Sequence, residues 1–147
     1  MANEHPIIGR TRHGDLTIDQ VASMQPGLGR LMPEISERYW ILYYAAKGGN
    51  WELAHYQLRN IRNLFSIGVQ TRPKMASYLE AFDKGHLSAV ERAIEAKDWA
   101  AFDKVYHDSI TGLNNMHAAT NHGYIVWKLP AEPPEHLDLG PQVPPRS

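Results

Sequence analysis

The chain has 147 residues and no cysteine, and its 15 lysines and arginines face 16 aspartates and glutamates for a net charge of -1. That length and ordinary composition suit a single globular domain, and near-neutral charge supplies no field to hold nucleic acid or an anionic membrane. With no thiol, the sequence excludes disulfides, thiolate metal sites, iron–sulfur clusters, cysteine nucleophiles and covalently attached haem c.

The opening MANEHPIIGRTRHGDLTIDQ lacks the apolar core of a secretory signal. The longest apolar run, Tyr39 to Ala46, falls far short of the about 18 residues a membrane span needs. The expectation is a cytoplasmic protein without membrane or nucleic-acid partners. Six of the ten prolines follow residue 129, and only Pro73 lies between Glu34 and Leu129. Proline is costly inside a helix, so the middle of the chain reads as helical and the end does not. Residues 1–30 read as an irregular N-terminal extension, 31–121 as the helical body and 122–147 as a Pro-rich tail packed on it.

Helical spacing predicts four segments. The first runs from about Met32 to Lys47, with Pro33 in its first turn, a stripe of Leu31, Ile35, Leu42 and Ala46, and Gly48-Gly49 at its end. The second opens at Asn50 as N-cap and continues to about Gly68 along Ala54, Leu58, Ile61 and Phe65; the short glycine link makes the pair antiparallel neighbours. The third, Lys74 to Ala96, carries Met75, Leu79, Phe82, His86, Val90 and Ile94 and reads as one bent helix, although Gly85 and a Ser88-x-x-Glu91 capping pattern offer a break. The fourth starts at Asp98 and runs to about Asn121 along Phe102, Tyr106, Ser109, Leu113, Met116 and Thr120. The expected fold is all-α, an antiparallel four-helix bundle. Strand-like sequence is confined to Tyr124-Ile125-Val126-Trp127, too little for a sheet.

Eight histidines stand out. His5, His13 and His136 read as solvated, His55 and His107 as surface residues, and His86 as a seam position. Leu113, Met116 and His117 share one helix face at i, i+3 and i+4, and Gly112 beside them permits close approach to the backbone. An imidazole framed by Leu and Met is the setting of an axial haem ligand and equally of a histidine packed in a core; the spacing leaves both open. No HExxH, EF-hand loop or phosphate loop occurs. Glu52-x-x-His55 is a single half of the paired motif a di-iron bundle needs, and no serine has a nucleophile-elbow context.

The run Leu113-Asn114-Asn115-Met116-His117-Ala118-Ala119-Thr120-Asn121-His122-Gly123-Tyr124-Ile125, with Pro130 and Pro133-Pro134 beyond it, resembles the end of small bacterial c-type cytochromes of the cytochrome c′-like four-helix-bundle kind. Gln25 to Met32 resembles their entry to the first helix, and Tyr43 to Tyr56 resembles their first hairpin, so the resemblance spans about residues 25 to 134. Leu113 and Met116 stand where that family's attachment cysteines would be, and His117 where its proximal histidine would be. The resemblance therefore implies a haem-ligand role for His117 without thioether attachment, and a helix-paired homodimer.

Three outcomes suit the vacated pocket. It binds non-covalent haem b with His117 as iron ligand and Met32 or Met24 opposite; it takes another small ligand among Tyr39, Trp40, Tyr43 and Tyr106; or Leu113 and Met116 fill it. The candidate cofactor-binding set is His117, Met116, Leu113, Gly112, Met32 and Tyr106. The leading expectation is a redox, gas or ligand-handling bundle. The alternatives are a cofactor-free small subunit or interaction module of a larger enzyme, and a small enzyme using His117, His122 or His86 as general acid/base.

Overall fold

A computed structural model describes residues 7–143. The chain is mostly helical with a small two-stranded sheet. His5 and the last four residues of the expected tail lie outside the described residues.

The N-terminal segment differs from the irregular extension expected. Strand β1 (Ile7–Thr11) pairs antiparallel with β2 (Gly14–Thr17), matching Arg10 to Asp15 and Thr11 to Gly14, with an irregularity between Ile7 and Gly9. The two-residue link Arg12-His13 contains none of the residues usual in tight hairpins; the positive φ falls instead on Gly14, at +142°. A short helix α1 (Ile18–Ser23) follows, opened by a reciprocal cap: Thr17 Oγ1 accepts from the Gln20 amide at 3.1 Å and Gln20 Oε1 accepts from the Thr17 amide at 2.8 Å.

Helix α2 (Leu28–Gly48) begins a turn earlier than the proline suggested, so Pro33 sits inside it. Its end follows from glycine: Gly49 adopts φ +85°, and its amide and that of Asn50 turn back to the Ala46 and Ala45 carbonyls at 3.1 and 2.8 Å. Asn50 then caps α3 (Trp51–Thr71), its Oδ1 accepting from the Leu53 amide at 3.1 Å. After a 3-10 turn (Pro73–Met75) come α4 (Ala76–Phe82), a π turn (Asp83–Leu87) and α5 (Ser88–Ala96) without interruption. Ser88 and Glu91 do not cap a new helix. Arg62 on α3 takes both, donating to Ser88 Oγ at 3.0 Å, to Asp83 Oδ1 at 2.8 Å and to Glu91 Oε2, and so braces the π turn from across the interface. Lys97, at φ +51°, reverses the chain, and Asp98 caps α6 (Trp99–Ala119) through the Ala101 amide at 3.1 Å.

The long helices pack around one core: α2 on α3 and α6, α3 on α4 and α5, and α5 on α6. Leu42, Leu58, Ile61, Leu87, Val90, Phe102 and Tyr106 are fully enclosed. Apolar burial at helical spacing is what holds the helices together, since propensity alone contributes little.

The tail lies along this body. Tyr44 Oη donates to the Pro130 and Ala131 carbonyls at 2.7 Å, Trp40 Nε1 to the Glu132 carbonyl at 2.9 Å and Asn50 Nδ2 to the Asp138 carbonyl at 3.2 Å. The strand-like residues are not a strand, and they are wetter than their composition suggested: Tyr124 is 80% exposed and Val126 60%. No helix among the described residues is long and apolar enough to cross a membrane.

Gly48 touches the tail directly, because a Cβ there would run into the Leu139 carbonyl, which is backbone and cannot swing aside. Gly48→Ala is expected to lift the end of the tail and cost about 1–3 kcal/mol, read by urea unfolding and by faster proteolysis near residue 139. Gly29→Ala, where a methyl meets nothing within 4 Å, is the control and should be neutral or slightly stabilising.

Candidate functional site

A cavity of about 420 Å³ lies between α2, α3, α4 and α6, within the about 300–1,000 Å³ usual for small-molecule sites. Met32, Ile35 and Tyr39 of α2 form one wall and Phe65 of α3 and Leu79 and Phe82 of α4 another. Leu113, Met116 and His117 of α6 form the third. Thr120, His122, Ile125 and Trp127, in the segment that leaves α6, close the fourth side. Exposed Tyr78, His122 and Ile125 mark where the cavity meets solvent. The wall is overwhelmingly apolar, and its few polar groups include Ser36, Thr120 and the two histidines.

Four of the six expected site residues thus share one cavity: His117, Met116, Leu113 and Met32. The other two are placed elsewhere. Gly112 faces His86: a Cβ at Gly112 would collide with His86 Nε2, so the glycine admits that imidazole, and not a ligand, against α6. His86 also leans on the Phe82 ring, with centroids 5.1 Å apart. Tyr106 sits one layer behind the wall, stacked on Tyr39 at 4.3 Å and donating to the Tyr39 carbonyl at 2.6 Å. Trp40 and Tyr43 do not line the cavity, and Met24 is 52% exposed on the N-terminal side.

His117 is held in a defined orientation. Its Nδ1 lies 3.1 Å from the Ile125 carbonyl. A carbonyl only accepts, so Nδ1 carries the proton and the neutral ring keeps its lone pair on Nε2. None of the described residues takes that Nε2. This is the arrangement metal-bound imidazoles adopt: one nitrogen tied to a backbone carbonyl, the other left to coordinate. The geometry arises because α6 ends at Ala119 and the chain folds back, the His122 amide reaching the His117 carbonyl at 2.7 Å and the Ile125 amide the His122 carbonyl at 2.8 Å. Trp127 then fixes the return. Its Nε1 donates to Ser36 Oγ at 2.6 Å, while its amide and carbonyl pair with the Asn114 side chain at 2.8 and 3.1 Å.

The seams containing Phe65, Met75, Leu79 and Phe82 were legible as core, but not as the wall of an open space. Ile125 and Trp127 carried no site signal at all, because a tail enters a cavity only through long-range contacts.

Behind the cavity Tyr39 and Tyr106 are buried, and Tyr43 lies closer to the surface, bonded to the half-exposed Asp103. Tyr39 and Tyr106 titrate well above the ordinary tyrosine range, burial being the main cause, and Tyr43 is pushed up to about 12 by burial and by its bond to Asp103. Each favours the neutral phenol in the folded state. The stability they contribute is therefore complete below the ordinary value of about 10 and is lost as the pH climbs from there through the raised values. In a spectrophotometric titration the phenols of Tyr39 and Tyr106 are expected to ionise only together with loss of the helical circular dichroism.

Gly112→Ala is expected to push His86 aside and cost about 1–3 kcal/mol in urea unfolding. The double variant with His86→Ala should recover part of that loss, since the clash is with this one ring.

Comparison of the chain with family models, with curated proteins and with solved structures found no match.

Proposed function

We propose that the protein is an antiparallel four-helix bundle that binds a small, mostly apolar molecule beside His117, and that haem b held without a covalent bond is the ligand its residues fit best. The observation that carries this reading is the pairing of His117 Nδ1 with the Ile125 carbonyl, which leaves Nε2 without a partner among the described residues on a side chain that lines an apolar cavity.

The residues meet the requirements one by one. Nε2 of His117 would serve as the iron ligand, and the carbonyl bond behind it keeps the ring in the coordinating tautomer and strengthens it as a donor. Leu113 and Met116, which hold the positions of the thioether cysteines in the cytochromes the sequence resembles, offer apolar cover and no thiol. Met32, Phe65, Leu79 and Phe82 exclude water from the opposite side. His122, Thr120 and Tyr78 provide hydrogen-bonding groups for a polar edge of the ligand. Bound haem would supply an iron able to exchange an electron or take up a diatomic gas.

A second reading has one observation in its favour. His117 and His122 line the same cavity, as a general acid/base pair would require, although His86 is turned away towards Gly112. A cofactor-free subunit would instead suit a core closed around Leu113 and Met116, and both border open space.

Titrating hemin into the purified protein tests the proposal. A Soret band with one-to-one stoichiometry is expected. His117→Ala should weaken binding by about 10–100-fold or more, at least the loss that follows removal of a metal-bound histidine's supporting partner. Met116→Trp, whose larger ring would project into the cavity beside His117, should weaken binding of any ligand that sits there. An unshifted hemin spectrum with wild-type protein would overturn the haem assignment. Binding of an apolar fluorophore that survives in His117→Ala and fails in Met116→Trp would then identify a cavity for a different ligand.

A further inference from the structure

Four aromatic rings form a continuous column that starts at the cavity and ends near the surface. Trp127, in the cavity wall, meets Tyr39 edge-on with centroids 5.6 Å apart. Tyr39 stacks on Tyr106 at 4.3 Å, and Tyr106 leans on Tyr43 at 4.9 Å. All four are oxidisable residues, and ring contacts this close allow an electron to pass between neighbours. No phenylalanine interrupts the line, although Phe102 lies beside it.

The hydroxyl partners differ along the column. Tyr39 Oη is bonded to Ser109 Oγ, and Tyr106 Oη donates to the Tyr39 carbonyl. Neither partner is a base. Tyr43 Oη instead donates to Asp103 Oδ1 at 2.9 Å, and that carboxylate is half-exposed, with His107 Nδ1 at 3.3 Å. Removing an electron from a phenol makes its proton strongly acidic, so a phenol bonded to a carboxylate is far easier to oxidise than one bonded to a hydroxyl or a carbonyl. The two interior tyrosines can pass an electron but cannot release their protons, whereas Tyr43 can.

We propose that this column is a one-electron relay between the cavity and the surface, with Tyr43 and Asp103 as its terminus. As a physiological pathway it rests on the reading of the cavity as the seat of a redox-active group such as haem, which a hydroperoxide would first oxidise by two electrons, the peroxide being reduced to water or an alcohol, so that the group could then accept electrons one at a time. Trp127 would give one electron to that group and keep its indole proton, because Ser36 Oγ, the partner of its Nε1, is no base. Trp127 is refilled by one electron from Tyr43, passed through Tyr39 and Tyr106. The O–H bond of Tyr43 breaks as the electron leaves and its proton goes to Asp103, leaving a neutral tyrosyl radical and a protonated carboxyl. A one-electron reductant of the thiol or ascorbate class, reaching Tyr43 from the Asp103 side, returns the electron, and Asp103 returns the proton.

Pulse radiolysis of the protein without added haem tests the relay separately from the ligand. Azidyl radicals oxidise indole side chains, and Trp40→Phe, Trp51→Phe and Trp99→Phe together leave Trp127 as the only indole. The indole radical cation is expected to decay as a tyrosyl radical appears, in a first-order step whose rate does not depend on protein concentration. Tyr43→Phe should cut the tyrosyl yield several-fold and lengthen the life of the indole radical cation, whereas Tyr124→Phe should change neither. Asp103→Asn should slow the step and remove its solvent deuterium isotope effect, and Asp103→Glu should restore both. If the triple-phenylalanine background does not fold, Trp99→Phe alone, which removes the indole that touches Tyr43 directly with centroids 5.4 Å apart, is the background in which Tyr43→Phe reads the loss of yield. A tyrosyl yield that Tyr43→Phe leaves unchanged, or a transfer rate that rises with protein concentration, would overturn the proposal. Failure of hemin binding with an intact radical transfer would refute the haem reading alone.

Discussion

Trp127 joins parts of the chain that otherwise have no reason to meet. Its indole N–H reaches Ser36 on α2, its backbone pairs on both sides with Asn114 on α6, and its ring packs against Tyr39. The segment between the end of α6 and this anchor is short, so once Trp127 is docked the intervening residues must bridge the gap between the helices. Ile125 is thereby carried over His117, and the cavity gains its fourth wall. Tyr124 and Val126 are left in water by the same constraint, because the fixed ends do not let every apolar side chain of the bridge turn inwards.

The cavity itself follows from what stands at each helix end. Deep in the body, α2, α3 and α6 meet through fully enclosed Leu42, Leu58, Phe102 and Tyr106. Towards the start of α2 and the end of α6, the same seams continue with Met32, Leu113 and Met116, and these do not close on one another. The Arg62 network sets the opposite wall by holding the π turn, which positions Phe82 and Leu87. A buried or half-buried cation with two carboxylates is retained at a desolvation cost. Here its geometric result is a helix with one widened turn, a feature often found beside functional sites.

The helices were legible because their causes are local. Asn50 and Asp98 cap as their side-chain chemistry predicts, Gly48-Gly49 ends a helix, and the apolar stripes fall at helical spacing. The N-terminal hairpin was not legible: its strands are four and five residues long and its turn lacks the usual glycine or asparagine pair. The run Tyr124 to Trp127 erred the other way, since β-branched and aromatic residues suit a strand only where a partner strand exists. Ser88-x-x-Glu91 resembled a cap, but Arg62 competes for both side chains and offers them a charged partner.

At the candidate site the division is similar. The i, i+3, i+4 spacing put Leu113, Met116 and His117 on one face from sequence alone, and helix geometry guarantees that relation. Gly112 reads as part of that site by its place beside the patch and Tyr106 as one of the rings around a ligand between helices, yet one is shielded by His86 and the other lies behind Tyr39. Sequence determined which residues share a helix face, because that depends on a fixed rise and turn per residue. Tertiary structure alone decided that this face borders a cavity, that the tail carbonyl of Ile125 fixes the tautomer of His117, and that four aromatic rings line up behind it. Those outcomes depend on contacts between residues far apart in the chain, and no local periodicity encodes them.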